Sequence, residues 1–304
     1  MQQKKYYSNG KLLITGEYLV LNGAKSLAVP TKFGQSLEIT PNANEEIVWK
    51  SYDADGSIWF EDIIFFNDVI EKTTFFESKI KNTLVEILHH AYLLNPSFIL
   101  NTNGYLIETK LTFPRLWGLG TSSTLINNLG QWLQIDAFQL LKNSFGGSGY
   151  DIACAQINQS IIYYLQNEKP FFETVFFNPS FKKHIYFVYL NTKQNSKTAI
   201  TNYLNKQFFL DETITKINKI THLIVESQNI DDFMTALNNH EILLSDVLEQ
   251  LTVKEALFSD FDGTIKSLGA WGGDFIMVVS KENPTAYFSN KGFDTLLKYD
   301  EMIL

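Results

Sequence analysis

The 304-residue sequence holds a single cysteine, Cys154, which excludes an intrachain disulfide and any multi-cysteine metal site. Its five histidines, at 89, 90, 184, 222 and 240, are scattered without the spacing of zinc ligands. It has only seven prolines, and no internal repeat, low-complexity tract or Pro/Ser-rich linker marks a boundary. No stretch approaches the ~20 apolar residues needed to span a bilayer. The opening residues Met1–Tyr7 lack the apolar core and cleavage site of a secretory signal, so a cytoplasmic protein without a membrane partner is expected. Cations are in the minority, 25 Lys and Arg against 33 Asp and Glu, for a net charge of −8. Duplex binding needs clustered cations to displace counterions, so a nucleic-acid partner is not expected. A small anionic substrate remains compatible, because a pocket can be locally positive on an acidic protein.

What is present fits a globular chain of about two domains: 45% apolar and 19% charged residues, with 24 Phe for the core. Strand-like segments open the sequence. Lys11–Leu21 and Ser26–Val29 flank the hairpin signal Asn22-Gly23, and Gly34–Thr40, Glu46–Ser51 and Gly56–Phe60 continue the β pattern. Ser78–Leu94 has the helical spacing Ile80, Leu84, Ile87, Leu88, Tyr92, and Gly104–Leu111 alternates as a strand. A helix is predicted just beyond Ser123 and another near Asp151, followed by strands at Ile161–Leu165 and Phe171–Phe177. After a change of character near Pro179 come a strand at His184–Leu190, a helical stretch over Ser196–Leu251, strands at Asp274–Val279 and Thr285–Phe288, and a terminal helix. Mixed strands and helices without regular βαβ alternation predict an α+β fold, divided as residues 1–180 and 181–304.

Four segments could carry chemistry. In Gly118-Leu119-Gly120-Thr121-Ser122-Ser123, two glycines let backbone N–H groups approach a ligand, and the helix that follows turns its free N–H groups and positive dipole end toward the loop. The hydroxyls can bind phosphate oxygens or Mg²⁺, but they can equally cap the helix, and on this segment alone the two readings are evenly matched. The loop matches neither the P-loop nor the Rossmann pattern. In Gly146-Gly147-Ser148-Gly149-Tyr150-Asp151, a carboxylate on the first turn of a helix suits a base for phosphoryl transfer, or simply supplies N-terminal helix charge. Lys11, in Gly10-Lys11-Leu12-Leu13-Ile14-Thr15-Gly16-Glu17-Tyr18, either faces solvent from a strand or neutralises charge developing beside Asp151. Gly269-Ala270-Trp271-Gly272-Gly273-Asp274 suggests backbone packed close to a ligand, or a plain tight turn. Cys154 reads as a packing residue and His240 as a helix-surface or packing residue.

The order of these segments resembles the superfamily of galactokinase, homoserine kinase, mevalonate kinase and phosphomevalonate kinase, the GHMP kinases. Gly10–Tyr18 looks like its first motif, Pro114–Ser123 like its phosphate loop, Gly269–Asp274 like its third motif, and Asn239–Leu244 like a helix that precedes the third motif. The resemblance implies a two-domain fold, with an N-terminal domain like ribosomal protein S5 domain 2 and a ferredoxin-like C-terminal domain. It also implies ATP and Mg²⁺ as cofactors and a small anionic acceptor. Asp151 takes the place of the catalytic aspartate and Lys11 that of the lysine near the transferred phosphate. Gly118, Leu119, Gly120, Thr121, Ser122 and Ser123 would hold the nucleotide phosphates, with Ser122 on the metal. Glu17, Ser148, Lys193, Ser196, Lys197, Gly272 and Gly273 are candidate substrate contacts. Gly147-Ser148-Gly149-Tyr150-Asp151-Ile152-Ala153 resembles the corresponding segment of phosphomevalonate kinases, as do Lys266 and the Gly-Gly-Asp ending at Asp274. Phosphomevalonate is therefore the expected acceptor. The alternatives are a mevalonate kinase, a diphosphomevalonate decarboxylase, or a ligand-binding regulator with this fold. Trp271 stands where the family usually has glycine, which would narrow or stiffen that loop, and Asn9 stands where proline or alanine is more usual.

Overall fold

A computed structural model of the chain describes residues 3–74, 76–194, 196–205 and 210–304. The chain forms two compact units that are not consecutive in sequence. The first comprises residues 1–10, 33–115 and 119–156, and the second residues 11–32, 116–118 and 157–304. Strands β1 (Lys4–Leu13) and β2 (Ser26–Pro41) each pass from one unit into the other, and position 180 falls inside the second unit.

In the first unit, β3 (Glu46–Tyr52) pairs antiparallel with β4 (Ile58–Phe65) and parallel with β5 (Tyr105–Leu111), and β5 pairs antiparallel with Gln35–Pro41 of β2. Both β3 and β5 alternate buried and half-buried residues, the period-2 pattern of a sheet with one face on the core. Helices α1 (Phe66–Ile70), α2 (Lys79–Leu94), α3 (Ser97–Leu100), α4 (Thr121–Leu133), α5 (Ala137–Ser144) and α6 (Tyr150–Gln156) complete this unit. The Ser78 side chain accepts the Lys81 N–H and caps α2, whose Leu84, Ile87, Leu88 and Ala91 are buried. They share one core with Leu125, Leu129 and Trp132 of α4 and with Trp49, Ile107 and Leu37 of the sheet.

In the second unit, Ser26–Ala28 of β2 pairs antiparallel with β6 (Ile161–Gln166), which turns through Asn167 and Glu168, both with φ > 0, into β7 (Lys169–Thr174). Then follow β8 (Ile185–Tyr189), α7 (Ser196–Leu204), α8 (Asp211–Glu226), α9 (Ile230–Leu248), α10 (Val253–Leu257), β9 (Thr264–Ser267), β10 (Phe275–Val279), α11 (Thr285–Asn290), β11 (Leu296–Lys298) and α12 (Tyr299–Met302). The order β11-β8-β10-β9 makes a wholly antiparallel four-stranded sheet. One core packs Val188, Ile265, Ile276 and Val278 against Phe258 and Phe288, and a second gathers Leu19, Ile217, Leu244 and Trp271. This is the α+β architecture expected. No helix among the described residues is long and apolar enough to cross a membrane.

Three local expectations are corrected. Asn22-Gly23 is not a two-residue hairpin: Leu19–Asn22 forms a 3₁₀ turn that Gly23 ends in the left-handed conformation. Thr285–Phe288 is helical rather than extended, because Asn283 Oδ1 accepts the Thr285 N–H and starts a helix after Pro284. Helix α4 starts at Thr121 instead of beyond Ser123, so all three loop hydroxyls lie on its first turn.

Candidate active site

The glycine loop leaves the second unit at Gly118 and enters the first at Leu119.

In the first unit, Gly120 is the N-cap of α4, left-handed at φ 97°, and no side chain caps the helix. Ser123 Oγ turns back to the Gly120 carbonyl at 2.9 Å, and Thr124 Oγ1 lies 2.9 Å from Gln35 Oε1 and 3.0 Å from the same carbonyl. Ser123 and Thr124 thus turn their hydroxyls back to the Gly120 carbonyl, and the helix start has no side-chain cap. Ser122 is exposed and Ser123 buried. A cavity of about 250 Å³ is lined by Thr121 and Ser122 together with Trp49, Trp59, Ile80, Thr83 and Phe145, and is largely aromatic and aliphatic.

Helix α4 is held by a buried polar network. Ser8 Oγ donates to Asn128 Oδ1 at 2.7 Å, and Asn128 Nδ2 donates to the Gln35 carbonyl at 2.9 Å. Asn127 Nδ2 donates to Ser8 Oγ at 2.9 Å and to the Ala155 carbonyl of α6 at 3.2 Å. The last bond fixes α4 against the helix whose first turn carries Asp151. Asp151 is half-buried, as is Ser148 in the loop before it.

In the second unit, the third glycine loop ends at Asp274, itself left-handed at φ 52°. Its Oδ1 accepts the Gln194 N–H at 3.2 Å, and its backbone N–H donates to the Thr192 carbonyl at 2.7 Å. Burial raises the Asp274 carboxyl above the ordinary aspartate value, against the Gln194 N–H and the positive fields of Lys11 and Lys193. Lys11, Lys193 and Asp274 therefore share one electrostatic neighbourhood. Gly118 faces it too: with φ 69°, a β-carbon there would overlap the Asp274 carboxylate, so only glycine fits. Trp117, the preceding residue, stacks edge-on to Phe275 with centroids 5.3 Å apart. Gly273 is buried against Gln194, and Gly272 is exposed. The side chains of Ser196 and Lys197 lie outside the described residues.

Glu17, expected among the substrate contacts, is only 1% exposed and faces inward. Its Oε1 accepts from Lys266 Nζ at 2.5 Å, and Lys266 Nζ lies 3.3 Å from Glu241 Oε2. Glu241 Oε1 in turn accepts the backbone N–H and hydroxyl of Ser267. His240 Nε2 accepts the Gly16 N–H at 2.9 Å, which places its ring proton on Nδ1. Burial, then Lys266, holds His240 well below its usual value, so it is neutral. Burial pulls the Lys266 ammonium down, but Glu17 and Glu241 more than offset this and leave it raised. Burial also lifts the Glu17 carboxyl to about 7, against Lys266, with Glu241 adding to the rise. Two carboxylates face one ammonium without solvent, an environment in which burial first, and Glu241 in addition, favour the neutral form of Glu17.

The raised Glu17 carboxyl has a measurable consequence. Between pH 4.5 and about 7 the unfolded chain ionises Glu17 while the folded chain does not, so this group makes stability fall as pH rises and level off above about 7. Replacing Glu17 with Gln should remove on the order of 3 kcal/mol of that slope. Urea denaturation of both proteins across pH 4.5–8 measures it, and parallel curves would refute the assignment.

The sequence reading did not anticipate Asp274 as a charged partner of Lys11, the buried Lys266 group, or the cavity. The one signal for the last was the tryptophan pair Trp49 and Trp59 on neighbouring strands.

No family model and no curated protein matches the chain. Among solved structures, Streptococcus pneumoniae phosphomevalonate kinase in complex with phosphomevalonate and AMPPNP is similar over 97% of this chain and 99% of that one, at TM-score 0.70 and 16% identity. Methanococcus jannaschii mevalonate kinase is similar over 97% of each chain, at TM-score 0.68 and 16% identity. Lactococcus lactis galactokinase complexed with galactose is similar over 98% of this chain and 93% of that one, at TM-score 0.66 and 14% identity. These proteins share one architecture, and this chain has it.

Proposed function

We propose that this chain, which has the GHMP kinase fold, transfers the γ-phosphoryl group of ATP to the hydroxyl of a small anionic acceptor of mevalonate type, phosphomevalonate foremost. The observation that carries the reading is the uncapped N-terminus of α4, set beside a cavity lined by the same first-turn residues. Free N–H groups and a positive dipole end suit phosphates, and a cavity walled by Trp49, Trp59 and Phe145 suits a nucleobase. The similarity to a phosphomevalonate kinase bound to phosphomevalonate and AMPPNP supports the choice of both ligands.

In this reading the amides from Gly118 to Ser123 hold the phosphates, and the aromatic cavity orients the base. Asp151 orients the acceptor hydroxyl and takes its proton as the oxygen bonds to the γ-phosphorus and the bond to the β-phosphate oxygen breaks. Lys11 offsets charge on the transferred group, and Lys193 binds the acceptor's anionic end. Among the described residues no group of three or more His, Cys, Asp or Glu could hold a metal ion. Mg²⁺ keeps most of its waters and would bind mainly through substrate phosphates, with the exposed Ser122 hydroxyl as protein ligand. When bound, the ion neutralises phosphate charge.

The test is ADP release with Mg²⁺ and ATP across a panel of mevalonate, phosphomevalonate, diphosphomevalonate and galactose, with products identified by mass. Phosphomevalonate should be preferred, yielding a diphosphate with no CO₂. Preference for another acceptor, CO₂ release, or ATP binding without turnover would each overturn it.

A further inference from the structure

Three successive residues of the first motif each reach a different anchor within the second unit. The Gly16 N–H bonds His240 Nε2 of α9 at 2.9 Å. The Glu17 carboxylate bonds Lys266 of β9, the strand that leads into the third glycine loop. The Tyr18 hydroxyl accepts the backbone N–H of Trp271, at the centre of that loop, at 3.3 Å.

The local geometry is costly and is held from several sides. Tyr18 adopts φ 60°, ψ −49°, a conformation a bulky side chain avoids and keeps only where its surroundings over-determine it. Its ring leans on Tyr203 with centroids 5.4 Å apart, and Tyr203 in turn bonds Asn22 Oδ1 at 2.6 Å. Gly16 has φ 78°, and a β-carbon there would overlap Ser26. Trp271 is buried among Leu19, Ile217, Leu244 and Val247, with Tyr203 beside them. At the root of the loop, Ser267 is bound twice by Glu241. A glycine loop with three glycines in six residues would ordinarily be mobile, yet this one is pinned at its root by charge and at its centre by an indole.

We propose that Gly16-Glu17-Tyr18, together with Lys266 and Trp271, is a positioning element that pre-organises the third glycine loop, and with it Gly272, Gly273 and Asp274. None of the five side-chain or backbone anchors needs to touch substrate. The loop carries Asp274 to Gly118, so holding it in one arrangement removes the ordering cost that nucleotide binding would otherwise carry. The kinetic part of this inference rests on the phosphoryl-transfer reading, and the anchoring part does not. Once an anchor is lost, the fraction of molecules with a competent loop falls, and apparent affinity falls by the same factor.

The variants are Tyr18→Phe, which removes one oxygen, and Trp271→Leu, with Trp271→Phe as the conservative rescue. Hydrogen exchange over residues 268–274 should quicken roughly tenfold in the first two and return toward wild type in the third, with the rest of the second unit unchanged. The KM for ATP should rise roughly tenfold with kcat within a factor of three, whereas mere destabilisation would lower apparent kcat and leave KM alone. Should Trp271→Leu fail to fold, Tyr18→Phe carries the test. Unchanged exchange over 268–274 in Tyr18→Phe, or faster exchange spread evenly through the second unit, would overturn the proposal. If the wild type releases no ADP but the local exchange pattern holds, the transfer reading fails and the anchoring stands.

Discussion

Asp151→Asn should lower turnover by roughly 10²–10⁴-fold, the effect of losing a general base, with the KM for ATP nearly unchanged. The substitution preserves side-chain shape and removes only the charge and the capacity to accept a proton. Among the described residues Asp151 joins no buried ion pair, and its helix is tied to α4 through Asn127 and the Ala155 carbonyl, both untouched by the change. Folding should therefore survive, and thermal denaturation of the variant should match wild type within a few degrees. Steady-state kinetics with the preferred acceptor decides the matter. A variant that folds and turns over at near wild-type rate would remove Asp151 from the chemistry and leave the triple-glycine segment as a helix entry only.

Lys266→Met carries the largest expected loss of stability, about 3–5 kcal/mol, because it leaves Glu17 and Glu241 buried against each other with no cation. Both carboxylates lie essentially out of solvent, so water cannot replace the ammonium. The damage should shrink at low pH, where protonating Glu17 removes the repulsion. It should also shrink in Lys266→Met/Glu17→Gln, which has one buried charge fewer. Urea midpoints for the three proteins at pH 5 and pH 8 give the comparison. A single variant as stable as wild type at pH 8 would mean that the buried charges are not coupled as the distances indicate.

The elements with strong local signals were legible in the sequence. Helix α2 showed its apolar spacing, β3 its β pattern and β5 its alternation. Other elements were not. Strand β9, Thr264–Ser267, is four residues long and buried throughout, so it offers no alternation to read. Helix α11 carries β-branched and aromatic residues that imitate a strand, and its start depends on one side-chain bond from Asn283. At the site, the glycine loops and the first-turn hydroxyls were visible as types. Whether those hydroxyls cap the helix is a matter of rotamers, and the sequence could not choose between the two readings. Glu17 looked like any carboxylate near a ligand-binding motif. Only the placement of Lys266, 249 residues away, turns it inward.

By itself, then, the sequence determined the fold class, the order of the glycine segments and the residue types available for phosphate and proton chemistry. These follow from local periodicity and from the backbone freedom of glycine, which act over a few residues. The tertiary structure decided which charges meet. It set Lys11 and Lys193 in the field of Asp274, buried Glu17 with Lys266, Glu241 and His240, and inserted Trp271 beneath its own loop. The reason is that burial and Coulomb energy depend on distances through space, which a one-dimensional pattern does not contain.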